Sequence, residues 1–214
     1  MSHMFPVYTK GELIADGALH VVGVTAAIIA AASLALLAFG ELPPQASASV
    51  LIYCVGLLAV FGCSAAYHLV TRPKLKALLR RFDHAAIYVK IAATYTPFAA
   101  VKLGGLVGIT LLGTVWVIAA IGVFARLALP GQFVRTAYVL YLAQGWACLA
   151  ALRPLLGAVP DTAMILLGLG GVLYTAGIAF HLWQKLPYHN AIWHGFVLAA
   201  SACHFAAVVD AVVL

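Results

Sequence analysis

Charge is what this sequence has least of. Only 8% of its 214 residues are Asp, Glu, Lys or Arg, and six are acidic, where a soluble domain carries about 25% charged residues. That scarcity argues against a water-soluble domain, and no polar linker or low-complexity stretch is left over to build one. Cysteine is also sparse. Cys54, Cys63, Cys148 and Cys203 all fall inside apolar runs and show no C-x-x-C spacing, which points to buried packing and away from thiolate metal binding or redox work. The net charge of +6 is scattered between apolar runs and makes no groove-binding face, so no nucleic-acid partner is expected.

Apolar residues fill the space that charge leaves. They make up 65% of the chain, with mean hydropathy +1.07, in blocks long enough to cross about 30 Å of hydrocarbon. Seven runs read as spans: Leu19 to Phe39, Ser47 to Val70, Ala85 to Val101, Leu106 to Arg126, Val134 to Leu152, Thr162 to Trp183, and Ala191 to Val213. The connections carry Pro43 and Pro44, Pro73, Gly104 and Gly105, Pro130 and Gly131, Pro154 to Pro160, and Pro187. The expected fold class is an all-α membrane protein, a seven-transmembrane helix bundle forming one integral membrane domain over residues 1–214. Pro97 offers an alternative of six spans and a re-entrant piece. Cation asymmetry favours seven: Lys10, Arg72, Lys74, Lys76, Arg80, Arg81, Arg126, Arg135 and Lys185 fall on one side, and Lys102 and Arg153 on the other. That places the N-terminus in the cytoplasm and the C-terminus outside. A full-length first run without a small-residue cleavage site predicts no cleavable signal peptide. Met1 to Met4 read as a possible cloning remnant, so His3 gets no weight.

The segment TRPKLKALLRRF interleaves cations with Leu75, Leu78, Leu79 and Phe82, a pattern that suits a short helix on the inner leaflet, either held by anionic lipid or simply anchored there. Just beyond it DHAAIYVKIAATYTPF opens with Asp83, a carboxylate at a membrane boundary, costly unless paired, hydrated or binding something. The spans bring His20, Ser64 with His68, Asp83 with His84, and His194 to one face of the membrane. Ser64 and His68 are four apart and share a helix face. Imidazoles with a carboxylate are the ligand chemistry of a catalytic zinc site; a metal-free hydrogen-bonded network between helices is the alternative. His204, ten residues beyond His194, lies about 15 Å further along its helix and reads as a packing or hydrogen-bonding histidine. His181 reads as interfacial. Lys90 either snorkels to the cytoplasm or offsets a carboxylate.

Four motifs carry a resemblance: Glu12, Asp16, His20 and Gly23; SAAYH from Ser64 to His68; DHAAIYVKIAATYTPF from Asp83; and NAIWHGFVLAASACHF from Asn190. Over nearly its whole length the chain resembles the haemolysin III family, the bacterial branch of the progestin and adipoQ receptor superfamily, which is similar to alkaline ceramidases. The resemblance implies a seven-helix bundle with its N-terminus inside and a zinc ion near the cytoplasmic face, held by His68, His194 and Asp83, with Ser64 beside the metal or its water. It implies a lipid amide or ester hydrolase with Asp83 and Ser64 as catalytic groups and a substrate or ligand arriving from the inner leaflet. The other expectations are a non-enzymatic lipid sensor with a structural metal, or a cytolytic protein. Two departures stand out. Asn190 occupies the place of the first histidine of an H-x-x-x-H motif, leaving the third ligand open among Asp83, His189 and His20. Asp16 occupies a place that usually holds Asn. Membrane lipids are the expected partners, and oligomeric state is not legible.

Overall fold

The computed structural model describes residues 8–129 and 134–214; the expectations for Met1 to Met4, for Pro130 and Gly131, and for the Arg135 side chain fall outside them. Long helices make up the described chain, and no strand occurs among the described residues. Helix α1 (Lys10–Glu41) begins with a capping box. The Glu12 N–H donates to Thr9 Oγ1 at 3.3 Å and the Thr9 N–H donates to Glu12 Oε2 at 2.8 Å, satisfying two donors that a helix start leaves orphaned. Helices α2 (Pro44–Leu69) and α3 (Pro73–Pro97) each open on proline, whose missing N–H has no helical partner to lose there. At the end of α2, Lys76 reaches back from α3 and its ammonium donates to the carbonyls of His68 and Val70, both at 3.3 Å.

Helix α3 passes through Pro97 and continues as a π-type turn, Phe98–Leu103, which absorbs the hydrogen bond that proline removes. The basic segment from Pro73 to Phe82 is helical, as its periodicity predicts, and is continuous with the rest of α3 instead of forming a separate surface helix. Gly104 and Gly105, at φ +56° and +51°, turn the chain into α4 (Gly105–Ala128), a left-handed conformation that strains any other residue. Helix α5 (Val134–Gly145), a 3-10 turn (Ala147–Ala151) and α6 (Leu152–Ala158) follow as one interrupted rod. The segment from Pro154 to Ala158, expected as a connection, is therefore helical; Pro154 lies in the first turn of α6, where proline is tolerated. Helices α7 (Asp161–Leu182) and α8 (His189–Val208) complete the order, α8 ending in a π-type turn, Val209–Val213.

Among the described residues, six helical stretches are long and apolar enough to cross a membrane: α1, α2, α4, Thr136–Ala158, α7, and His189–Val213. Helix α3 is the seventh long helix, and its basic first turns lower its hydropathy. It is also the most enclosed: Tyr88, Ala92, Ala93 and Thr96 are buried against α2 and α4. The outward faces carry Leu36, Phe39, Leu106, Ile109 and Ile165, a large apolar surface that suits lipid and not water. Cross-helix contacts fix one end of the bundle. The Tyr188 N–H donates to Glu12 Oε1 at 3.0 Å, Arg81 to the Leu127 carbonyl at 3.5 Å, and the Tyr141 hydroxyl to the His84 carbonyl at 2.9 Å. Here α1, α3, α5 and α8 begin and α2, α4 and α7 end. With Lys10, Lys74, Lys76, Arg80, Arg81 and Lys185 gathered there, it is the basic end.

Candidate metal centre

Three helices deliver the polar groups of the basic end. Asp16 and His20, four apart on α1, share a face, as do Ser64 and His68 on α2 and Asn190 and His194 on α8. The carboxylate of Asp16, a buried residue, lies at their centre. Its Oδ1 accepts from His194 Nδ1 at 2.6 Å and from Asn190 Nδ2 at 3.1 Å, and its Oδ2 faces His68 Nδ1 at 3.1 Å. His20 Nδ1 donates instead to the Asp16 main-chain carbonyl at 2.7 Å. Every Nδ1 of the three imidazoles therefore faces an oxygen of one residue. A carbonyl or a carboxylate only accepts, so a neutral ring that donates from Nδ1 to Asp16 keeps a lone pair on Nε2.

The rings crowd together. Centroids are 4.8 Å apart for His20 and His68, 4.4 Å for His20 and His194, and 4.6 Å for His68 and His194. One ligand atom from each of Asp16, His20, His68 and His194 lies within 4.8 Å of the others. This group could hold a metal ion: imidazole nitrogens suit zinc and its neighbours in the first transition row, and donation of the second ring N–H to a carboxylate or a carbonyl is how ligating histidines are usually oriented. In that arrangement Asp16 orients the rings, or itself supplies the fourth ligand.

The expected site residues separate into two groups. His68 and His194 sit in the four-residue set. Asp83 does not: it is buried on α3, beside Ser64 and within electrostatic reach of His194. Ser64 connects the two, its Oγ lying 3.2 Å from His20 Nε2. Of the candidates for a third histidine, His20 lies in the cluster. His189 is buried with its Nδ1 unpartnered among the described residues, its ring 6.0 Å from that of Tyr8. Asn190 has a different part, holding Asp16 and approaching His68 Nδ1 at 3.3 Å. Asp16 itself is the residue that motif matching left without a role. The available signal was its spacing: an acid four residues before His20 inside a membrane helix. His181 stands apart, against the Tyr138 hydroxyl at 3.2 Å and the Trp193 ring.

A cavity of about 30 Å³ reaches the cluster, lined by Tyr8, Glu12, Asp16, His68, Lys76 and Asn190 among others. Burial pushes the Tyr8 phenol up to about 12, so at neutral pH it borders this space as an uncharged hydroxyl.

Residues 12–205 match the profile of the family described as Haemolysin-III related. A protein named Hemolysin-3 homolog from Bacillus subtilis (strain 168) is 38% identical over 199 residues, 93% of each chain. Hemolysin-3 from Bacillus cereus is 35% identical over 194 residues, 91% of this chain and 89% of that one. More distant is the Monocyte to macrophage differentiation factor of Homo sapiens, 28% identical over 163 residues, 73% of this chain and 67% of its own. No solved structure matches significantly. Six apolar helices and relatives of this kind make the chain a multi-pass integral membrane protein, consistent with the bacterial inner membrane.

Proposed function

The chain belongs to the haemolysin III family, and from that premise we propose that it is a zinc-dependent hydrolase of lipid amides or esters acting at the cytoplasmic leaflet. In this reading all seven long helices span the membrane, the N-terminus is cytoplasmic, and the basic end faces the anionic lipid of the inner surface. One observation carries the proposal: three imidazoles from α1, α2 and α8 each turn Nδ1 toward an oxygen of Asp16, and one ligand atom from each of these four residues lies within 4.8 Å of the others.

His20, His68 and His194 would hold the ion. Bound there, zinc supplies Lewis-acid polarisation and brings the pKa of a water toward neutrality. Asp16 keeps the rings oriented and offsets the charge of the site. Asp83, buried beside Ser64, takes the proton of the attacking water and returns it to the departing amine or alcohol, so that one carbon–oxygen bond forms as the carbonyl carbon loses its leaving group. Ser64 donates toward the carbonyl oxygen as charge develops on it. The test is a screen of lipid amides and esters with purified protein. Asp83→Asn is expected to lower turnover by roughly 10² or more while metal content stays near wild type; turnover that persists in Asp83→Asn contradicts the assignment.

The size of the cavity favours a second reading. About 30 Å³ admits water and not an acyl chain, which suits a structural metal that ties α1, α2 and α8 in a lipid-responsive, non-enzymatic protein. That reading predicts that removing the metal lowers thermal stability while no lipid is consumed. Lysis of cells, which the relatives' names suggest, would then follow from disturbance of the bilayer.

A further inference from the structure

A second buried cluster lies midway through the bundle, independent of the metal centre. Lys90 is seven residues beyond Asp83 on α3, about 10 Å deeper, and is 4% exposed. It neither snorkels outward nor meets a carboxylate. Its ammonium points further inward, donating to Thr94 Oγ1 at 2.7 Å and lying 4.6 Å from the centroid of the Tyr53 ring. The Thr94 hydroxyl is itself committed to the Lys90 carbonyl at 2.8 Å. Among the described residues the ion pairs all converge on Asp16, and none includes Lys90. An ammonium has three N–H donors; one hydroxyl and one ring face leave a donor over when the group is charged.

Its surroundings are polar and similarly incomplete. Tyr53 is fully buried, and its hydroxyl has no hydrogen-bond partner among the described residues. From α8, His204 places its Nε2 3.4 Å from the Leu167 carbonyl and interacts electrostatically with Lys90. The His204 ring lies 5.5 Å from that of Tyr174, whose hydroxyl shares a 2.7 Å hydrogen bond with Ser201. The backbone makes room for these groups. A Cβ at Gly170 would collide with the His204 ring, and one at Gly56 would collide with Ala93, one turn from Lys90. Six residues past His204, Asp210 has a buried Oδ2 without a partner among the described residues.

A lysine held at this depth without a counter-ion is costly, and ionisable side chains so placed mark ion pathways and proton relays. Packing alone would be served by a methionine of the same length. A proton, unlike a larger ligand, needs donors and acceptors and no open space. Helices α3 and α8 both start at the basic end and present their ionisable groups in step, Asp83 with His194 and, deeper, Lys90 with His204. Asp210 follows toward the far end.

We propose that Lys90 and His204 form a proton-exchange station through which the protein carries protons between its basic end and the far end near Asp210. The Lys90 ammonium passes a proton toward the His204 imidazole, its amine takes up another from the opposite side, and no other bond changes. The transmembrane proton gradient drives the net movement. The hydroxyls of Thr94, Tyr174 and Ser201, each hydrogen-bonded and each both donor and acceptor, relay it, and the Tyr53 hydroxyl, unpartnered among the described residues, is free to turn toward a passing proton.

The test is proton entry into liposomes containing the purified full-length chain, read by a trapped pH-sensitive dye with the membrane potential clamped by potassium and valinomycin. Wild type is expected to acidify vesicles faster than protein-free liposomes, and Lys90→Gln and His204→Gln to reduce that rate at least tenfold. Lys185→Gln, in the exposed α7–α8 connection, keeps the wild-type rate. Wild type no faster than empty vesicles overturns the proposal, as does wild-type flux in Lys90→Gln. Should Lys90→Gln fail to fold, His204→Gln decides alone: lost flux supports the station, and retained flux overturns it.

Discussion

Asp16 and Lys90 are both ionisable residues buried in a membrane protein, and their surroundings meet the cost of burial in opposite ways. Asp16 is surrounded by donors. Two imidazoles and one amide point at its carboxylate, and a third imidazole points at its main-chain carbonyl. Lys90 has one hydroxyl and one aromatic face. A fully partnered charge holds helices together and fixes the geometry of its neighbours. An under-partnered one contributes little to the fold, and the proton station proposed for Lys90 gives it a task in which a proton comes and goes. The two sites thus separate what burying a charge can do for structure from what it can do for function.

The largest expected effect tests the first half of that contrast. Asp16→Ala leaves three imidazoles without their common acceptor and is expected to cost about 3–5 kcal/mol of stability, measured by denaturant unfolding in detergent, with loss of bound metal. Lys90→Met should move the other way. Relief of desolvation makes it neutral or stabilising by about 1–4 kcal/mol in the same assay; a loss as large as that of Asp16→Ala would break the comparison. Gly170→Ala forces a methyl group into the His204 ring and is expected to cost about 1–3 kcal/mol, with a parallel fall in proton flux. Smallest is Ser64→Ala, which removes the hydroxyl facing His20 Nε2 and should cost about 0.5–1.5 kcal/mol without loss of metal.

Much of the basic end was legible because its chemistry is written in short spacings. Ser64 with His68 is a helix-face pair, and the polar openings of α3 and α8 put Asp83 and His194 at the same level. The positions of the apolar runs are equally plain, although Pro154, a loop marker by residue type, sits in the first turn of α6. Two things could not be read. One is which carboxylate meets the histidines: Asp83 and Asp16 are equally placed by helical period, and only the packing of α1 against α2 and α8 decides. The other is the mid-bundle cluster. Its members, Tyr53, Lys90, Tyr174 and His204, come from four helices and share no motif, so no spacing brings them together. Gly170 and Gly171 pack inside the bundle, against His204 and Trp146.

The central claim is that His20, His68 and His194, oriented by Asp16, form one metal centre and that Asp83 lies outside it. Elemental analysis of detergent-purified protein tests this most directly, comparing wild type with His20→Ala and Asp83→Asn. The account predicts about one zinc per chain in wild type and in Asp83→Asn, and little in His20→Ala. Zinc retained by His20→Ala, or lost from a well-folded Asp83→Asn, would contradict it.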